Sequence, residues 1–214
     1  MRIGLLVVAG LLIAGCVSAA APNWLSQIGV NGNNYPGGSN DDFNYFGAYT
    51  DSYDYYPDMW DVVDPGYPDH AVSLIFRGNQ NGDDASYPAN GLSWDIRAPY
   101  DEGYKVWKIE AILPDAGYTF DLVFDFDPFG GYGLPQDWIC KLDMDGEINA
   151  DNYKDLGLYE VDLDHQQGKV LTGLPQSGGS EAWYVIAGIP EPPLVQLAGL
   201  LLGIAGIGIA RLRK

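Results

Sequence analysis

The chain has 214 residues, of which 29 are acidic and 11 basic, and its formal net charge is −18. Since a polyanion repels another polyanion, this charge argues against nucleic acid and anionic lipid surfaces as partners and leaves divalent cations, cationic polymers and neutral glycans open. Of the two cysteines, Cys16 is lost with a signal peptide or acylated, as argued below, which leaves Cys140 alone in the mature chain. An intramolecular disulfide is therefore excluded, and stability must come from a buried core.

The first twenty residues predict a signal peptide that is removed on export. Arg2 supplies the positive start, residues 3–14 form an apolar run of twelve, and residues 17–21 supply the small side chains that signal peptidase recognises. A run this short is cleaved rather than kept as a membrane span. Residues 13–16 resemble a lipobox, which gives an alternative in which Cys16 is acylated. Ordinary cleavage is preferred, because the C-terminus supplies an anchor of its own.

Residues 21–70 are predicted to form an irregular segment that leads into the domain. Tyr, Asp, Asn, Gly and Pro dominate this segment, and its apolar residues show no helical period. Tyrosines are unusually dense here, and Trp60 lies among them. Aromatic rings exposed on loops can stack on sugar rings, so this segment supports a glycan-binding alternative.

Residues 71–188 show the period-two alternation of apolar and polar side chains that is typical of β-strands. The alternating stretches cover residues 72–76, 92–96, 107–111, 120–124, 138–142, 159–163 and 183–187. Turn residues such as Asn, Asp, Gly and Pro separate these stretches. We therefore predict a single all-β domain, an antiparallel β-sandwich of the Ig-like or jelly-roll-like type, with its core in residues 71–188.

Residues 141–151 contain side-chain oxygens at the alternating spacing of a calcium loop. The candidate ligands are Asp143, Asp145, Asn149 and Asp151. This stretch resembles the middle of an EF-hand or dockerin loop, in which a glycine such as Gly146 permits the sharp bend. The match fails at its ends, where Lys141 and Asn152 replace the expected acids. The alternative is a hairpin with a tight turn at Asp145 and Gly146, and weak calcium binding is compatible with either.

Catalytic motifs are absent from the sequence. Neither Gly-x-Ser-x-Gly nor His-Glu-x-x-His occurs, and His70 and His165 are too far apart in sequence to indicate a metal pair. Asp125 and Asp127 are a carboxylate pair, but neighbouring acids arise by chance in so acidic a chain. We therefore predict a protein that is not an enzyme and has no obligatory cofactor, with an unrecognised hydrolase as the third alternative.

The last 26 residues combine a proline-rich box, an apolar run and a basic end. Pro190, Glu191 and Pro192 precede residues 194–210, in which Gln196 is the only polar side chain. Seventeen residues of helix span roughly 25 Å, enough for a short transmembrane helix. The basic end consists of Arg211, Arg213 and Lys214. Because such residues stay on the cytoplasmic side, the preceding domain is predicted to lie outside the membrane.

This arrangement in residues 189–214 resembles the PEP-CTERM sorting signal, which a membrane-embedded exosortase recognises. The resemblance implies that the chain is held in the membrane by residues 194–210, cut near Pro190, Glu191 and Pro192, and then placed at the cell surface or outside the cell. Its expected partners are signal peptidase, an exosortase-type membrane protease and extracellular polysaccharide, but not nucleic acid. The expected role is structural or adhesive and linked to exopolysaccharide or biofilm; the main alternative is a calcium-dependent carbohydrate-binding module.

Overall fold

The computed structural model describes residues 23–33, 39–52, 61–66, 72–77, 88, 91–99, 103–148, 151–152 and 155–189. These residues are nearly all strand and loop, with one 3-10 helix at Leu156–Leu158 and no α-helix among them. The all-β prediction is thereby confirmed. Within the same residues, no helix has the length and apolar character needed to cross a membrane. The predicted signal peptide, residues 1–20, and the predicted transmembrane helix, residues 194–210, lie outside the described residues.

Eleven strands of the described chain belong to one sheet. They are β1 Trp24–Asn33, β2 Ser39–Ala48, β3 Val62–Val63, β4 Ser73–Arg77, β5 Leu92–Arg97, β6 Tyr104–Leu113, β7 Thr119–Asp125, β8 Ile139–Asp143, β9 Val161–Asp162, β10 Gln167–Pro175 and β11 Gly179–Gly188. Their order is β10-β7-β1-β2-β5-β4-β6-β11-β8-β9, and β3 pairs with β5 beside this path.

The sheet is mixed, which corrects the prediction of a purely antiparallel arrangement. β2 and β5 run parallel, with Tyr45 opposite Trp94 and Ala48 opposite Arg97. A parallel pair needs a long crossover connection. The chain between these two strands supplies it, because it contains β3 and β4.

β1 and β2 lie in the middle of the sheet order, although the sequence predicts residues 21–70 to be irregular. Two features of β2 hide its strand pattern. Asp41 and Asn44 are buried although they are polar, and one Asp41 oxygen accepts a hydrogen bond from the Leu74 backbone N–H at 2.7 Å. The register also shifts between Ile28 and Val30 of β1, so one extra residue of β2 interrupts the alternation.

The sheet curls around an aromatic core that joins strands far apart in the sheet order. Trp24 of β1 lies 6.2 Å from Trp138 next to β8, and Phe120 of β7 lies 5.8 Å from Trp183 of β11, measured between ring centroids. Cys140 is fully buried in the same core, as its place in a strand pattern predicts. Burial raises the pKa of its thiol, so this cysteine is a packing residue.

Candidate cation site

The predicted site residues fall into two groups according to whether the structure describes them. Asp143, Asp145 and Asp151 are in the described part of the chain. The others lie outside it and are Cys16, Asn149, Pro190, Glu191, Pro192, Arg211, Arg213 and Lys214. The cation site can therefore be compared with its prediction, whereas the sorting and lipidation residues stay predictions.

Pairing of β8 with β9 brings together three carboxylates. Lys141 lies opposite Asp162 and Leu142 opposite Val161, and continuing this register places Glu160 beside Asp143. Asp145 follows two residues after the end of β8. One carboxylate oxygen from each of Asp143, Asp145 and Glu160 lies within 4.8 Å of the other two. We call these three residues the acidic cluster.

Backbone N–H groups of the loop after β8 hold the Asp143 carboxylate in place. Oδ1 accepts hydrogen bonds from the N–H groups of Asp145 at 3.1 Å and Gly146 at 3.3 Å, and Oδ2 accepts one from Ile148 at 3.3 Å. Gly146 has a φ of +80°, in the left-handed region that this bend requires. The loop therefore wraps around a carboxylate that is 0% exposed.

Glu160 is tied to the same loop from the neighbouring strand. Its Oε1 accepts hydrogen bonds from the backbone N–H groups of Met144 at 2.9 Å and Asp145 at 3.2 Å. The tight hairpin expected at Asp145 and Gly146 is not formed, because β8 pairs with β11 and β9 and residues 147–148 are not in a strand. The loop thus connects through Glu160 to a distant part of the sequence.

Burial and neighbouring acidic groups make the ionised form of Asp143 unfavourable. Its pKa is raised from 3.8 to about 6, first by burial and then by a hydrogen bond with Asp145 and the negative charge of Glu160. The N–H groups of Ile148 and Asp145 act in the opposite direction. A bound divalent cation would offset the repulsion, and calcium accepts oxygen ligands of this type in flexible geometry.

The ligand set differs from the one that the loop spacing predicts. Asp143 and Asp145 are in the acidic cluster, but Asp151 is an exposed turn residue that does not belong to it. The loop spacing does not reveal Glu160, because this residue lies beyond the loop, next to β9. The alternation in residues 159–163 predicts a strand there but not its partner.

The carboxylates of β7 and the following loop have structural partners instead. Asp121 is 3% exposed and accepts hydrogen bonds from the Gly173 N–H at 2.9 Å and from the Asn33 side chain at 2.5 Å. Asp127 accepts from the N–H groups of Gly131 and Tyr132 at 2.9 and 3.0 Å and so closes its own loop. Among the described residues, only the acidic cluster brings three potential metal ligands together.

Comparison with known proteins identifies no relative of this chain. No family model matches the chain, and no curated protein or solved structure shows significant similarity to it.

Proposed function

We propose that the chain is an exported protein that is sorted and processed by an exosortase, with a non-catalytic domain of structural or adhesive role at the cell surface. One observation carries this proposal: a Pro-Glu-Pro box, an apolar run and a basic end follow one another in residues 189–214. Residues 194–210 hold the chain in the membrane before processing, and the domain then reaches the surface or the extracellular matrix. The likeness to exosortase substrates links it to exopolysaccharide and biofilm.

The described domain supports this proposal through its architecture and charge. We propose that the curled sheet forms the two layers of a β-sandwich, since Trp24 and Trp138 from distant strands meet in one core. Between the two terminal signals the chain has 28 acidic and seven basic residues, a net charge near −21. Such a charge keeps an exposed domain soluble and prevents its association with other anionic surfaces.

The acidic cluster favours a second candidate function, a calcium-dependent carbohydrate-binding module. Calcium sites in extracellular protein modules have dissociation constants of about 10⁻⁴ to 10⁻³ M. Asp143, Asp145 and Glu160 offer three carboxylates, which suits a site of this class. In this alternative, the cation would order the loop after β8.

Replacement of the Pro-Glu-Pro box tests the sorting proposal. With Pro190, Glu191 and Pro192 all changed to Ala, we expect full-length protein to accumulate in the membrane, because the protease loses its recognition site while the helix is intact. Deletion of residues 211–214 should instead release unprocessed chain, because the short helix loses its cytoplasmic stop. Cell fractionation followed by immunoblotting measures both results. Wild-type processing of the triple variant would contradict the proposal.

A further inference from the structure

A continuous row of side chains crosses six neighbouring strands on the outer face of the sheet. Residues in register on adjacent strands project to the same face. The row follows β10, β7, β1, β2, β5 and β3 and consists of Gln167, Asp125, Gln27, Tyr45, Trp94 and Val62. The sequence neighbours of three of them, Phe124, Ile28 and Phe46, are buried in the core, so the row faces outward. At about 4.8 Å between strands, it extends roughly 24 Å.

One end of this row is a polar groove of about 380 Å³, which we call the amide groove. Its polar lining consists of Gln27, Asn31, Asp42, Asp125 and Gln167. Gln167 Nε2 donates to Asp125 Oδ1 at 3.0 Å, and Gln27 donates to the backbone oxygen of Asp42. The Asn31 amide, oriented to donate, lies 2.9 Å from Asp42 Oδ1. Each carboxylate is thus fixed by a neighbouring amide and retains lone pairs for a ligand hydroxyl.

Glycines keep the amide groove open and bring its walls together. A Cβ at Gly29 would lie 2.5 Å from the Asp41 backbone oxygen and 3.0 Å from Asp42 Oδ1. Only glycine therefore allows Asp42 of β2 to lie so close to β1. Gly168 also lines the groove, and a Cβ there would meet no atom within 4 Å, so its lack of a side chain leaves space for a ligand.

Beyond the amide groove, Tyr45 and Trp94 of the row form an aromatic cluster with Phe129 of the loop after β7. The ring centroid of Tyr45 lies 4.8 Å from that of Trp94 and 5.1 Å from that of Phe129. Phe129 is 49% exposed. Burial raises the pKa of the Tyr45 hydroxyl, and the negative charges of Asp125 and Asp42 raise it further. Because these two carboxylates line the amide groove, the aromatic cluster lies directly beside the groove.

The chemistry of this face selects an uncharged, hydroxyl-rich ligand. Sugar rings present apolar C–H faces that pack on aromatic rings, and hydroxyl groups that bond to amides and carboxylates. Among the described residues lining the amide groove there is no lysine or arginine to attract an anionic chain. Lys169, two residues from Gln167, is paired with Asp121. Two carboxylates in a chain of net charge −18 would repel an anionic polysaccharide.

We propose that the amide groove and the aromatic cluster together bind a segment of a neutral polysaccharide directly, without a bridging cation. Asp42 and Asp125 accept hydrogen bonds from sugar hydroxyls, the amides orient these carboxylates, and the exposed ring of Phe129 packs against a sugar face. The five strands from Gln167 to Trp94 span roughly 19 Å along the row, a length that contacts several sugar units in succession. Polysaccharide binding at this face deepens the proposed function and depends on that function for its biological setting. The contacts involve no residue of the acidic cluster or the sorting signal.

Calorimetric titration of the full chain in detergent tests the proposal, with soluble neutral glucan, mannan, galactan and xylan oligosaccharides as probes. At least one of them should bind, with unchanged affinity in excess EDTA. Phe129→Ala and Gln167→Ala should each weaken binding about tenfold or more. Tyr132→Ala is the matched control, since Tyr132 lies in the same loop as Phe129 and is 42% exposed but packs against Tyr49. Its affinity should equal that of the wild type.

Tryptophan fluorescence provides a second readout of the same site. Trp24, Trp107 and Trp183 are fully buried, whereas Trp94 is half-buried in the aromatic cluster. Ligand should change the emission of Trp94, and Trp94→Phe should remove much of this change while calorimetry still detects binding through the retained aromatic ring.

Three results would overturn the proposal: no binding to any of the four neutral probes, loss of binding in EDTA, or equal affinity of wild type, Phe129→Ala and Gln167→Ala. Preferential binding of a cationic polymer such as chitosan would also overturn it, because the carboxylates would then act by charge. Since these measurements use purified protein, their failure would leave the sorting proposal intact. Normal processing of the triple-Ala variant would likewise leave glycan binding intact.

Discussion

Asp143 shows how one buried carboxyl group sets the chemistry of the loop after β8. It is 0% exposed, it accepts three backbone hydrogen bonds, and Asp145 and Glu160 provide two further carboxylates beside it. The backbone N–H groups favour the ionised form, whereas burial and the neighbouring charges favour the protonated form. The second effect dominates, because the pKa of Asp143 is about 6.

This raised pKa predicts that Asp143 makes the domain less stable as pH rises. An acid whose pKa is about 6 when folded and 3.8 when unfolded binds its proton more tightly in the folded state. The stability that this tighter proton binding gives the folded state is therefore fully present below pH 3.8 and is lost as pH rises through about 6. Asp143→Asn should flatten the fall in melting temperature over this window. Asp151→Asn, in an exposed turn outside the acidic cluster, is the control, and an unchanged slope in Asp143→Asn would contradict the account.

Calcium bound at the proposed site should offset this loss of stability at neutral pH, because the three carboxylates are brought together only in the folded state. We expect millimolar calcium to raise the melting temperature more than magnesium does at equal ionic strength. Asp143→Ala with Asp145→Ala should abolish the difference, and Glu160→Gln should reduce it. Asp151→Asn should keep the difference between the two ions. This result would distinguish the acidic cluster of the folded protein from the ligand set that the loop spacing predicts, which includes Asp151. Equal effects of the two ions would show that the acidic residues contribute only to charge screening and solubility, and not to a specific calcium site.

At the scale of the element, the sequence predicts strands where one face is apolar and the other polar. The alternating stretches 72–76, 92–96, 107–111, 120–124 and 183–187 correspond to β4, β5, β6, β7 and β11. β2 was missed because polar side chains occupy buried positions and a bulge breaks the period. β10 was missed because it is largely exposed and its register shifts twice, so no face is consistently apolar.

β5 also contains a buried ion pair whose loss should be costly. Arg97 donates from Nε and Nη2 to the two Asp95 oxygens at 3.0 and 2.8 Å, and from Nη1 to the Val106 backbone oxygen at 2.8 Å. Its guanidinium lies 5.0 Å from the ring centroid of Trp107. These contacts fix β5 against β6 through a charge pair that is almost completely buried.

Arg97→Leu should lower the free energy of unfolding by about 3 to 5 kcal/mol, because it leaves Asp95 charged and buried. The double variant Arg97→Leu with Asp95→Leu should cost clearly less than the sum of the two single variants, since it leaves no isolated charge. Urea denaturation at pH 7 measures all three. Additive losses would show that the two side chains do not act as a pair.

At the scale of the whole molecule, destination and binding are encoded in different ways. The proposed sorting signal is contiguous, so its resemblance to a PEP-CTERM signal could be seen in the sequence at Pro190, Glu191 and Pro192. Binding surfaces are assembled from distant segments: Glu160 joins Asp143 through strand pairing, and Gln27 meets Asp125 across β1 and β7. No sequence spacing indicates such contacts, because strand order and register decide them.

We propose that the chain is exported and cut at both ends. Mass spectrometry of the protein isolated from intact cells and their medium is the decisive measurement, because it identifies both termini of the mature chain. We predict an N-terminus at Ala21 and a C-terminus close to Pro190, Glu191 and Pro192, with residues 194–214 removed. A lipid-modified Cys16 at the N-terminus would replace ordinary signal cleavage by the lipobox alternative. An exported chain that still ends at Lys214 would contradict exosortase processing.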